Sequence, residues 1–334
     1  MSFKRLDPED FLISADSITA GAWTNNLPTL STFFTSSVQA AGASGQYYLN
    51  VYQTGSTLDE SEVQFNIAFG NSNGSGSSLY DAGIDGKSPT STIFGQFQNI
   101  VLGDENTNFT FGTVTPTTQS FYAITVNRSK YKGSLLPGTL NLTISGSNQI
   151  QLTDNSNNIT TQTFNEAGRV YQIVSGSNGS AYSGTGYTTN SGSYGLFLPD
   201  IGTILLNASA LDLAGPQGAG LGTSYTTSAN NPAKLFNAIS ASGNFVLNSQ
   251  ENITSDYIFI RARNAEYNYS ENPSFISGST GEVIYNNFIN SPQTFITTVG
   301  LYNDANELLA VAKLSKPLKK DFTKEALIRV KLDF

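Results

Sequence analysis

A mainly β, antiparallel fold of sandwich-like units, with two or three short helices and an extended N-terminal arm, is predicted by three features of this sequence. Apolar and polar residues alternate with period two in many short runs, which puts every second side chain on one face. Clusters of Gly, Ser, Asn and Thr punctuate those runs as turns and loops. Only two stretches change to helical spacing, and no repeat of fixed period is present. The 334 residues suffice for one large β domain or two ordinary ones, each able to bury a core.

Residues 1–45 read as an extended arm, because Trp23, Phe33 and Phe34 stand isolated among small and polar residues that end in an Ala/Gly/Ser stretch. Residues 46–190 read as a β domain with one helix. In it "VQFNIAFG" alternates, with Val63, Phe65, Ile67 and Phe69 on one face and Gln64, Asn66 and Ala68 on the other. "SPTSTIFGQFQNIVLG" then takes helical spacing through Ile93, Phe97, Ile100 and Val101, with Ser88 as cap, Pro89 at the first position and Gly103 as the stop. "FYAITV", "GTLNLTIS", "NQIQLTD", "NITTQTF" and "GRVYQIVSG" follow as short strands, with Leu140, Leu142 and Ile144 facing inward and "LTDNSNNIT" as a hairpin tip.

A Gly/Ser/Thr-rich loop marks the next boundary, and residues 191–334 read as a second β unit. Its helix is "NNPAKLFNAISASG", capped by Asn231, with Pro232 in the first turn, Leu235, Phe236 and Ile239 on one face and Gly243 beyond the end. The unit closes with the apolar hairpin "VGLYNDANELLAVAKL" and the strand "ALIRVKLDF", where Ile328, Val330, Leu332 and Phe334 alternate with Arg329, Lys331 and Asp333.

The chain contains no Cys and no His, and its one Met is the first residue. Disulfides, thiolate and imidazole metal sites, Cys nucleophiles and Ser-His-Asp triads are therefore excluded. Charged residues make up 13% of the chain, about half the usual share of ~25%, and the 11% of aromatics argues against disorder. From Lys313 onward seven basic and three acidic residues give +4, while the preceding 312 residues, with 10 basic and 22 acidic groups, give −12. An acidic body with a basic end suits docking on another acidic surface, copies of itself included, or a solvated edge protected by Lys. Nucleic-acid binding is not expected of such a chain. Neither a signal-peptide core nor a spanning run of about 20 apolar residues is present, so a protein made in the cytoplasm, with no membrane partner, is expected.

Partial motifs fail on inspection. "DGKS" at Asp85–Ser88 resembles the end of a phosphate loop, but Asp81 stands where the first Gly belongs. "GAGLG" at Gly218–Gly222 lacks the dinucleotide spacing. "DNSNN" from Asp154 has Ile159 where a calcium loop turns on Gly, and no closing Glu. A glycosidase needs two carboxylates about 5 to 10 Å apart across a cleft. The adjacent pairs Asp104–Glu105 and Asp59–Glu60 would point to opposite faces of a strand. No catalytic residue, metal ligand or cofactor site is assigned.

The hairpin residues Val299, Gly300, Leu301, Tyr302, Leu308, Leu309, Ala310 and Val311, followed by "EALIRVKLDF", resemble the strand-turn-strand of phage tail-collar fibre proteins. Asn303 stands where that family usually has Asp, and Asn306 where it often has Gly. More widely, "FNIAFGNSNGSG", "SPTSTIFGQFQNIVLGDENTNFTFG", "YKGSLLPGTLNLT" and "RNAEYNYSENPSF" resemble virion structural proteins of the large contractile-tailed cyanobacterial phages, baseplate wedge proteins among them. The resemblance implies a structural, non-enzymatic role in a multi-copy tail assembly, with other tail proteins and copies of the chain as partners and the virion as its location. A receptor- or glycan-binding fibre module, with Tyr-rich loops as contact surface, is the alternative. The residues expected at interfaces are Trp23, Phe33 and Phe34 in the arm and Lys316, Lys319 and Lys320 in the basic end.

Overall fold

The structure is a computed structural model that describes residues 4–35, 48–55, 58, 61–76, 88–112, 119–182, 193–226, 229–269 and 272–333. The Ala/Gly/Ser stretch at 36–45, Asp59 and Glu60, the loop at 77–87, most of the Gly/Ser/Thr-rich loop (183–192) and Phe334 lie outside the described residues. The described residues are mainly β, with large antiparallel sheets and four short helices.

Two compact units divide it: Met1–Ser17 with Asn252–Phe334 form the smaller, Ile18–Glu251 the larger. Both boundaries fall inside strands, β1 (Phe11–Gly21) and β16 (Asn248–Ala262). The division at 45 and 190 read from the sequence does not coincide with this one. Loop composition marks a break in regular structure, and strands on either side of a loop remain free to pair with each other.

The larger unit contains β2 (Thr29–Leu30), β3 (Phe34–Thr35), β4 (Tyr48–Tyr52), β5 (Val63–Asn71), β6 (Ser120–Val126), β7 (Ser134–Leu135), β8 (Asn141–Ser145) and β9 (Gln149–Asp154). It continues through β10 (Thr163–Asn165), β11 (Gly168–Ser177), β12 (Ser180–Ala181), β13 (Gly195–Leu198), β14 (Thr203–Asn207) and β15 (Phe245–Val246). The main sheet runs β2-β15-β8-β9-β11-β13-β14-β6-β5-β4-β3. β11 and β13 pair directly, Tyr171 opposite Phe197, across the loop taken as a boundary. "LTDNSNNIT" is not a hairpin tip, since β9 and β10 both pair with β11 and not with each other.

The middle strands are buried on both faces. Tyr122, Ile124 and Val126 of β6 join one apolar cluster with Ile204 and Leu206 of β14, while Phe121, Ala123 and Leu205 join a second on the opposite face. Such strands read as continuous apolar runs, as "TILLN" does. α1 (Pro89–Leu102) covers the second face through Phe94 and Val101, with Ile93, Phe97 and Ile100 at its margin. Its ends are as predicted: the Ser88 side chain accepts from the Ser91 N–H, and Gly103 at φ 66° returns its N–H to the Asn99 carbonyl.

The first face packs on α2 (Ala208–Asp212) and on α3 (Asn231–Ser242), which contributes Leu235, Ala238 and Ile239. Asn231 lies one place inside the helix, after the cap Asn230. Its side chain is used otherwise, donating to the Gly76 and Ser224 carbonyls and accepting from the Ser224 N–H.

Residues 18–35 are not a free arm. Trp23 is 2% exposed, its indole donates to the Phe245 carbonyl at 3.0 Å, and its ring lies 4.8 Å from Phe245 and 5.9 Å from Phe65. Phe33 packs on Phe65, and β2 pairs with β15. These contacts join β5 and β15, far apart in strand order, so the sheet curls until its two ends share one core. Leu140, Leu142 and Ile144 face inward, as the alternation indicates.

In the smaller unit β16 pairs with β19 (Ala326–Asp333), setting Ile258 opposite Val330 and Ala262 opposite Ala326. β1 is hydrogen-bonded to β16. The short helix α4 (Asn286–Asn290) precedes a separate two-stranded sheet, β17 (Gln293–Tyr302) with β18 (Leu308–Asp321). Among its described apolar residues only those two cross-strand pairs are buried, and neither apolar cluster includes a residue beyond Leu247.

One buried ionisable group in the larger unit makes its stability depend on pH. Asp154 is fully buried, its Oδ2 accepting from the N–H groups of Gly138 (2.8 Å) and Ser156 (3.2 Å). Burial nevertheless pushes its carboxyl above the ordinary range. A raised folded-state value means the group's favourable contribution is complete below its unfolded value, about 3.9, and is lost as pH rises through the folded one. Thermal melts of Asp154→Asn and the parent between pH 4 and 8 are expected to shift in favour of the variant as pH rises; a difference constant with pH would contradict the assignment.

Candidate assembly surface

The hairpin β17–β18 owes its turn to two asparagines. The Asn303 N–H donates to the Glu307 carbonyl, its side-chain oxygen accepts from the Glu307 N–H at 2.8 Å, and its carbonyl accepts from Asn306. Asn306 has φ 62°, the left-handed region that Gly enters without cost and Asn tolerates. Register then pairs Leu301 with Ala310 and Val299 with Ala312, placing them on one face. The ladder is interrupted between Ile296 and Thr298, where β18 passes Leu314 to Pro317 across the gap.

Much of this apolar surface is uncovered. Phe295 is 61%, Leu309 68% and Val311 59% exposed; Val299, Leu301, Ala310 and Ala312 are half-buried. The sequence marks two apolar strands about a polar turn, as found, but not that much of their surface is bare.

Lys316 and Lys319 are exposed. Lys320 is not: it is fully buried, and its ammonium donates to the Asn268 side-chain oxygen (2.8 Å) and to the Asn264 and Asp321 carbonyls (3.1 Å each). It ties the 264–268 loop to β18 instead of facing a partner, and the Thr294 hydroxyl adds a bond to the Tyr267 carbonyl. Of the aromatic candidates, Trp23 and Phe33 are withdrawn into the larger unit's core, leaving Phe34, 45% exposed on β3. Sequence spacing held no sign of the Asn264–Asn268 cradle, because its three acceptors converge only in the folded loop.

Asp104, Glu105 and Asp200 are engaged in local structure. Asp104 accepts from the Thr107 hydroxyl (2.5 Å) and the Asn106 N–H (3.0 Å), bonds that hold it below the usual carboxylate range, and Glu105 accepts from Asn99. Asp200 grips Arg169 through both side-chain oxygens, at 2.6 to 3.3 Å, pinning β11 to the turn before β14. Gly70-Asn71-Ser72-Asn73-Gly74 has the spacing of a nucleophile elbow, which the sequence reading missed. The Ser72 hydroxyl is buried without a hydrogen-bond partner, and the chain has no His to activate it. Among the described residues no three acidic side chains come together to hold a metal ion, and no helix is long and apolar enough to cross a membrane.

No family model matches the chain, and neither a curated protein nor a solved structure resembles it significantly.

The cradle gives a direct test of how the basic end is built. Lys320→Met keeps the apolar stem but leaves the buried Asn268 side-chain oxygen without its donor, at about 1–3 kcal/mol for a buried unsatisfied group, while the Asn264 and Asp321 carbonyls keep the Asn268 amide and the Lys324 N–H. Limited proteolysis of this variant is expected to accelerate at residues 264–268, and an unchanged rate would show that the ammonium does not hold the loop.

Proposed function

We propose that this protein is a structural component of a phage virion, a wedge-type baseplate protein of a contractile tail, acting by assembly with other tail proteins and copies of itself and not as an enzyme. The observation that carries the reading is the hairpin β17–β18, which exposes Phe295, Leu309 and Val311 in a unit with almost no buried core. An isolated two-stranded hairpin is marginal in water, and this one leaves apolar side chains uncovered both beside its turn, at Leu309 and Val311, and toward its far end, at Phe295. The exposed Lys316 and Lys319 beside it, in a chain of net charge −8, favour an acidic neighbour. Neither cofactor nor metal enters this reading, and the composition supports it by removing the usual proton-transfer and nucleophilic groups.

One feature favours the alternative of a glycan-binding module. A pocket of about 450 Å³ is lined by Phe275, Tyr285 and Phe288 with the amides of Asn286, Asn287 and Gln293, an uncharged mixture of apolar faces and convergent polar groups. Tyr285 is half exposed there.

Cross-linking mass spectrometry of purified particles is expected to find the chain in mature virions, cross-linked to neighbours through Lys313, Lys316 or Lys319. Its absence from particles would overturn the assembly reading, and binding to arrayed glycans that Tyr285→Ala abolishes would favour the alternative.

A further inference from the structure

β1, β17, β18 and β19 are the edge strands of the smaller unit, and three of them carry the devices that stop an edge from pairing. β18 has Lys313, Lys316, Lys319 and Pro317; β19 has Arg329, Lys331 and Asp333; β1 has Asp16 at its middle. β17, "QTFITTVGLY", has no charge and no Pro over ten residues. Among the described residues it pairs only with β18, so alternate N–H and C=O groups of its outer edge have no ladder partner. Such an edge is an aggregation hazard unless something is meant to occupy it.

We infer that the outer edge of β17 pairs antiparallel with β17 of a second copy, making a four-stranded sheet β18-β17-β17-β18 across a two-fold axis. This rests on the assembly reading and names its surface. Three observations select a second copy. An uncharged strand meets itself without like-charge conflict. The two Lys-bearing β18 strands become the outermost pair, about 14 Å apart at three inter-strand spacings, beyond the screening length of about 8 Å at physiological salt. Those outer strands also end the sheet, because their Lys residues and Pro317 refuse a further strand, so the contact closes at two copies. Four strands supply the framework that a lone hairpin lacks.

A two-fold contact presents the middle of the strand to itself, so one new charge there appears twice. Thr297 is exposed and outside the paired register with β18, which makes Thr297→Lys a test that spares the intrachain ladder. Sedimentation equilibrium of the full chain is expected to show a reversible dimer, weakened at least tenfold in Thr297→Lys, with circular dichroism and thermal melting unchanged at dilutions where both proteins are monomeric. Lys313→Thr/Lys316→Thr should dimerise as well as the parent or grow into larger species. A parent that stays monomeric at every concentration, or a dimer indifferent to Thr297→Lys, overturns the β17 contact. The presence of the chain in particles decides the assembly reading independently of either result.

Discussion

Burial of a single sheet on both of its faces is the constraint on which this structure depends. β6 and β14 give alternate side chains to two apolar clusters, so neither face can be left to water without losing many side chains, each worth about 1.5–3 kcal/mol when fully buried. α1 closes one face. The other is closed by α2, α3 and the sheet's own ends, joined where Trp23, Phe65 and Phe245 meet. An aromatic in that position is worth about 3–5 kcal/mol against Ala, which is why a segment that looks like a tether in sequence is a keystone of the larger unit.

The smaller unit works under the opposite condition. Its buried apolar contacts come down to two cross-strand pairs between β16 and β19, and its hairpin turns apolar residues outward. Polar ties substitute for packing: Lys320 in its carbonyl cradle, and Ser255 with Asp333, whose carboxyl is held below its usual range by that hydroxyl and by Lys331. The Lys331–Asp333 pair is exposed and worth little by itself. A unit so built gains most of its rigidity by being covered, and the proposed role in a multi-copy assembly is the circumstance in which that happens.

Much of the larger unit was legible in the sequence wherever the deciding contacts are local. The alternation of β5, the cap and stop of α1 and the inward set Leu140, Leu142 and Ile144 follow from chain geometry within a few residues. What escaped depends on distant partners. The acceptor of the Trp23 indole is 222 residues away, and the unit boundaries lie within continuous strands where no composition shift marks them. At the surface, the apolar runs of β17–β18 and the turn between them could be read, but not how much of that surface is left uncovered. Lys320 looked like its exposed neighbours Lys316 and Lys319 because its acceptors are backbone carbonyls and an amide, which leave no pattern in charge. Asn231 missed its assigned place by one residue: Asn230 holds the cap position without a capping bond from its side chain, and the Asn231 amide is taken up by Gly76 and Ser224.

Packing is thus concentrated in one unit and sparse in the other, where the proposed assembly would supply it, and native-state hydrogen exchange read against protein concentration tests that division most directly. In the full chain, β5 and β6 amides should exchange slowly and at the same rate at all concentrations. Amides of 293–302 and 308–321 should be protected in concentrated solution and exchange at least tenfold faster on dilution. Hairpin amides protected to the same degree at every dilution would contradict the account, because the hairpin would then be stable without any partner.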